Sequence, residues 1–134
     1  MLTSKVKYLG NLRTSCTHLR SNTEIITDAP VDNQGRGESF SPTDLVATAY
    51  ASCMITIMGI HCQEHGIPFH HAEAEVEKVM GSNPRKIAKI RLKMDLSENH
   101  WEEEQANRVI RAGKRCPVAL NLENGLDFEL EFIV

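Results

Sequence analysis

The stretch from Leu45 to Ile60 carries no charged residue, and it follows directly on Ser41-Pro42-Thr43-Asp44. Serine caps a helix well, proline suits the first helical position, and an acid three residues past the cap can answer the cap's own N–H. A helix is therefore expected from Ser41 onward, ended by Gly66 and Pro68. A helix that is apolar on all sides belongs inside a protein, and an uncharged run this short does not comfortably span a bilayer. The chain has 134 residues, enough for one domain. A central helix that needs cover on every side asks for more than such a chain readily supplies, so part of that cover is expected from a second subunit.

The flanking segments point to strands. Residues 5–27 alternate β-branched and apolar positions around a turn at Arg20-Ser21-Asn22, which predicts two strands. Residues 28–40, with Pro30, Gly35 and Gly37, predict a loop. After the central helix, Glu73, Glu75 and Glu77 share one face of a strand, and Lys89, Arg91 and Lys93 share one face of another. Gly81-Ser82-Asn83-Pro84 between them is a turn signal, so an antiparallel hairpin is expected, its charges forming a solvated face. A second helix is expected from Asn99, as cap, to Arg115, limited by Pro117. After a turn at Asn124-Gly125, Phe128, Leu130, Phe132 and Val134 predict a final strand. The expected fold is α+β, a single domain over residues 1–134 in the order β-β-α-β-β-α-β.

Net charge is −3 with both signs interspersed, which argues against a nucleic-acid or anionic-membrane partner. The segment Met1 to Lys7 lacks the apolar core of a signal peptide, so a cytoplasmic location is expected. Thiols are kept reduced there, and Cys16, Cys53, Cys62 and Cys116 then read as free, catalytic or metal-bound before structural.

Cys53 lies deep in the central helix, and Cys62, nine residues on, faces the opposite side. Those two cannot bond within one straight helix. Cys53 meets Cys116 only if the end of the second helix packs against the first, and the sequence leaves that open beside the plainer reading of each buried cysteine as a small hydrophobe. A reactive cysteine must be a thiolate, and Cys53 is too far along the helix for the dipole to help. It needs a cation, and an arginine keeps its charge when buried and offers a fork of donors. Arg13, Arg20 and Arg36 are the upstream candidates. His61 and His65 have a spacing that can bind zinc, but there is no paired Cys-x-x-Cys and no metal is expected.

The run Ser41-Pro42-Thr43-Asp44-Leu45 through Ala51-Ser52-Cys53 resembles the first cysteine motif of the OsmC/Ohr family, the osmotically induced and organic hydroperoxide resistance proteins. Arg115-Cys116-Pro117-Val118 is similar to the family's second, Cys-Pro-Val motif. The expected element order also matches, so the resemblance spans nearly the whole chain. It implies an intertwined homodimer with two long central helices and active sites at the interface. It implies reduction of organic hydroperoxides, or of hydrogen peroxide, by Cys53 as the attacking thiol and Cys116 as the resolving one. An arginine from the N-terminal strands, Arg13 first among the candidates, would activate Cys53. A dithiol such as a lipoyl group would restore the enzyme, and no metal or organic cofactor is implied.

One departure stands out. The glutamate that holds the family's arginine maps to Thr43. The adjacent Asp44 is better suited to capping, and Glu38 in the preceding loop is another candidate for the lost carboxylate. The alternative to catalysis is a stress-linked binding protein with a hydrophobic pocket around Cys53.

Overall fold

A computed structural model describes all residues, Met1 to Val134. The chain divides into two compact units, one of residues 1–47 and 78–89, the other of residues 48–77 and 90–134.

In the first unit, β1 (Ser4–Gly10), β2 (Arg13–His18) and β3 (Thr23–Asp28) form an antiparallel meander in that order. Three strands stand where two were expected. The chain reverses at Asn11 and Leu12, both with φ in the left-handed region, after a shift of register between Tyr8 and Gly10. Two successive left-handed residues match the twist of a tight hairpin, a geometry that Asn favours and Leu does not. Leu12 therefore disguised the turn. The loop after β3 folds back on itself: a β-carbon on Gly35 would lie 1.7 Å from the Ala29 carbonyl oxygen, so no other residue fits without moving the backbone. This closure returns Glu38 and Phe40 to the end of β3, where the Asp28 N–H donates to the Phe40 carbonyl at 3.1 Å.

The central helix α1 runs Pro42–His65. Its start has the expected capping box: the Ser41 N–H donates to Asp44 Oδ2 and the Asp44 N–H to Ser41 Oγ, each at 3.0 Å. By length and composition α1 is apolar enough to cross a membrane, yet one stripe of it, Ala47, Ala51, Met58 and Cys62, is buried by its own chain. Val46 and Ile60 on another stripe stay exposed, so a single chain leaves part of this apolar helix uncovered.

β4 (Glu73–Gly81) and β5 (Lys86–Asp95) form the expected hairpin, with Arg91 donating to Glu77 at 2.8 Å. In the second unit, Met58, Cys62, Ile67 and Val109 make the core, joined by Met54, Phe69, Met94, Leu96, Trp101 and Ile110. The second helix starts later than expected. Asn99 is not its cap but a buried link: its side chain accepts from the N–H of His70 and His71 and donates to the carbonyls of His71 and Leu96. The helix α2 begins only at Glu103 and runs to Lys114.

Pro117 ends that helix as expected, but it also opens a new one, α3 (Pro117–Asn124), with proline in the first helical position. The final strand is not present. Residues 125–134 are exposed and form no strand, and Phe128, Leu130, Phe132 and Val134 contact no sheet edge. Alternation supplies a strand's side-chain pattern, but a strand exists only when a neighbour takes up its N–H and C=O groups. The α+β class holds, with the order β-β-β-α-β-β-α-α within one chain.

Candidate functional site

Cys53 sits on α1 between the buried residues Ala51 and Met58 and is itself partly exposed. Cys116 occupies the junction between α2 and α3 and is 0% exposed. It caps α3 with its sulfur, which accepts from the Ala119 N–H at 3.4 Å. Burial pushes the Cys116 thiol up; the N–H groups of Ala119 and Val118 pull the other way, and the neighbouring Cys53 adds to the rise. The structure thus brings Cys53 and Cys116 side by side, both as free thiols. This is the contact that the sequence allowed but left open.

Cys62 is excluded from that pair. It lies in the core at 1% exposure, where burial alone pushes its thiol up, as expected for an inert structural cysteine. Cys16 lies on β2, 3.8 Å from the Thr14 hydroxyl.

Of the three candidate arginines, Arg13 is the one set in a built environment. It starts β2 and pairs in register with Asp28 at the end of β3. Its Nε donates to Asp28 Oδ1 at 2.8 Å and its Nη2 to Asp28 Oδ2 at 3.0 Å. Nη2 also reaches Glu38 Oε2 at 3.1 Å. The hydrogen bond to Asp28 raises the Arg13 pKa against the opposing effect of burial, and the same bond holds the Asp28 carboxyl below its ordinary value. Such two-point pairing fixes a guanidinium in orientation as well as in charge. Arg20 and Arg36 are exposed and make no such fork.

Thr43 is occupied by other business. Lys78 donates to Thr43 Oγ1 at 2.9 Å and pairs with Asp44 at 2.8 Å. Burial raises the Asp44 carboxyl, but Lys78 and the two Ser41 hydrogen bonds outweigh it and leave the group below its ordinary value. Asp44 is thus a cap, as its helix position suggested, and in addition a partner of Lys78, and the carboxylates on Arg13 are Asp28 and Glu38. Glu38 was a candidate from sequence. Asp28 was not, although its place opposite Arg13 follows from the register of β2 and β3 about the expected turn at Arg20-Ser21-Asn22. The antiparallel register counted outward from that turn, His18 opposite Thr23 and so Arg13 opposite Asp28, was the available signal. Lys78 gave none, lying in a hairpin whose charges read as a solvated face.

His61 and His65 stack with ring centroids 4.2 Å apart, and the Nε2 of His61 is buried without a hydrogen-bond partner. Burial lowers the His61 pKa, which favours the neutral ring. No group of three or more histidine, cysteine or acidic residues gathers in a way that could hold a metal ion.

A family profile described as OsmC-like protein matches residues 35–131. Among solved structures, the chain is similar to a protein from Psychrobacter arcticus 273-4 named for osmotic stress induction and a detoxification response, at 48% identity and a TM-score of 0.85, covering 90% of this chain and 88% of that one. An organic hydroperoxide resistance protein OsmC from Legionella pneumophila superposes with a TM-score of 0.70 at 17% identity, covering 95% and 93%. An OsmC-like protein from Mycoplasma pneumoniae does so with 0.74 at 15%, covering 91% and 86%. The last two likenesses are of fold alone. No curated protein matches the chain.

Proposed function

The chain belongs to the OsmC-like family, and on that premise we propose that it is a two-cysteine thiol peroxidase acting on organic hydroperoxides or hydrogen peroxide. The observation that carries the reading is the adjacency of two free thiols, Cys53 and Cys116, from different helices. In the reaction the Cys53 thiolate attacks the terminal peroxide oxygen, the O–O bond breaks, and a proton completes the alcohol. Cys53 is left as a sulfenic acid. The Cys116 thiol then attacks that sulfur, water leaves, and a Cys53–Cys116 disulfide forms. A dithiol such as a lipoyl group reduces it and is itself oxidised to a cyclic disulfide.

Arg13 takes the role of the activating cation in this reading. Its support is the fork on Asp28 and Glu38, which pre-orders the guanidinium where a free side chain would wander. Partial exposure of Cys53 and full burial of Cys116 suit the division of labour, since the attacking sulfur must meet substrate and the resolving sulfur need not. The reading includes a homodimer, supported by the uncovered stripe of α1 and the unpaired apolar tail of residues 125–134. It places the protein in the cytoplasm, where dithiol reductants operate.

The test mixes reduced protein with a small excess of cumene hydroperoxide and maps disulfides by mass spectrometry, beside Cys53→Ser and Cys116→Ser. The expected result is a rapid Cys53–Cys116 disulfide, absent from both variants, with sulfenic and higher acids on Cys53 in Cys116→Ser. If both thiols survive cumene hydroperoxide and hydrogen peroxide while a known thiol peroxidase is oxidised alongside, the peroxidase reading is wrong. A binding protein is the second reading, favoured by a cleft of about 360 Å³ in the first unit, walled by Tyr8, Thr14, Thr27, Thr43 and Arg85 rather than by Cys53.

A further inference from the structure

Cys53 and Cys116 come together where α2 ends against α1, and the residue at that contact is a glycine. Gly113 is buried in the last turn of α2. A β-carbon built on it would lie 2.7 Å from Met58 Cε, 2.9 Å from Met54 Cγ and 2.9 Å from Met58 Cγ. Carbon atoms at rest sit about 3.5–4.0 Å apart, so even one methyl group here forces α2 outward or the methionines aside by up to about 1 Å. A thioether end can swing away, but the two γ-carbons are tied closely to the α1 backbone.

Both sulfurs are coupled to this point. Met54 directly follows Cys53 on α1. Cys116 is three residues past Gly113, and its N–H donates to the Gly113 carbonyl at 3.2 Å, so the turn that carries Cys116 moves with Gly113. Disulfide closure demands a sulfur–sulfur bond of about 2.05 Å and β-carbons about 3.5–4.5 Å apart, which leaves little tolerance for a receding helix.

We propose that Gly113 is a positioning residue for the resolving step: its missing side chain lets the end of α2 approach α1 closely enough for Cys116 to reach the oxidised Cys53. The assignment rests on the two-cysteine reading and adds to it the element that sets the reach. The step it controls is attack of the Cys116 thiol on the Cys53 sulfenic acid, forming the S–S bond and releasing water. The preceding step, oxidation of Cys53 by peroxide with release of an alcohol, does not involve Cys116 and is left alone.

Gly113→Ala, and the same change combined with Met58→Ala, separate the two steps. Met58→Ala removes two of the three crowding atoms. Two measurements are made on folded protein. One is the equilibrium of the Cys53–Cys116 disulfide in dithiol redox buffers, which needs no peroxide. The other is a time course with cumene hydroperoxide, following Cys53 sulfenic acid and disulfide separately by mass spectrometry. In Gly113→Ala, disulfide closure and the equilibrium constant should fall by about 10–100-fold, as expected when a reacting group is displaced by about 1 Å. The first oxidation of Cys53 should keep its wild-type rate, so sulfenic and sulfinic acids accumulate on Cys53. The double variant should recover most of the lost closure. General loosening of the core would slow no single step and would not be repaired by a further cavity.

Wild-type closure in a folded Gly113→Ala protein overturns the proposal, as does equal slowing of both steps. If Gly113→Ala does not fold, the double variant carries the test: closure near the wild-type rate supports the proposal, and closure as slow as expected for the single variant overturns it. If the wild type ignores peroxide, the peroxidase reading fails while the redox-buffer arm still decides the role of Gly113.

Discussion

Arg13 and Asp28 face each other across adjacent strands and join through two parallel hydrogen bonds of 2.8 and 3.0 Å, with the Asp28 side chain 1% exposed. The pair closes the open end of the β2–β3 ladder and orders the one arginine that the proposed chemistry needs. Its electrostatics give the first prediction. Asp28 is held below its ordinary pKa, first by the Arg13 hydrogen bond. The folded form therefore releases the proton more readily than the unfolded form, and the resulting stability is complete above the unfolded pKa, about 3.9. It is lost as pH falls through the lower folded value. Thermal melts between pH 6 and pH 3 should show the wild type losing stability below about pH 4 more steeply than Asp28→Asn. Parallel curves for the two proteins would remove Asp28 from the account.

The reciprocal cap between Ser41 and Asp44 anchors the start of α1. Ser41→Ala deletes the acceptor for the Asp44 N–H and a minor contact of Lys78. The expected cost is about 1 kcal/mol, measured by urea titration as a lower midpoint with an unchanged slope. A changed slope would mean that the unfolded state, rather than the cap, had responded.

Asn99 ties four backbone groups with one amide, at 2.7 to 3.1 Å. Asn99→Ala strands two N–H groups and two carbonyls in a part-buried setting, so it should cost about 2–4 kcal/mol, more than Ser41→Ala. Hydrogen exchange at His70 and His71 should quicken together in the variant. Unchanged exchange there would show that water replaces the amide without penalty.

The uncovered stripe of α1 includes Val46 and Ile60. In the proposed homodimer this stripe is buried, and a charge on it is costly. Sedimentation of the wild type should give the mass of two chains, and Ile60→Lys should shift the equilibrium toward one by at least about tenfold in dissociation constant. A wild type that sediments as a single chain at all concentrations would refute the dimer.

Much of this was legible because it is local. The capping box needs only Ser41 and Asp44, three residues apart, and the uncharged run after it marks a helix that must find apolar cover. The hairpin announces itself through alternation and the Gly81 to Pro84 turn. Boundaries were less legible where one residue type served a second purpose. Asn99 looks like a cap and is a buried link, Leu12 does not look like a turn residue, and Pro117 both stops one helix and starts another. The last strand failed for a different reason: its side chains alternate, but nothing in one chain pairs with its backbone.

By itself the sequence determined the α+β class, the place and polarity of the central helix, and the two cysteine motifs, since each depends on residues within a turn or two of one another. Only the tertiary structure decided which carboxylates hold Arg13, that Lys78 takes Asp44, that Gly113 lies against Met54 and Met58, and that Cys116 neighbours Cys53. Those relationships join residues far apart in the chain, and their energies turn on distances of an ångström or less between packed atoms. A one-dimensional pattern carries the residue types for such contacts, but only the packed chain sets the distances.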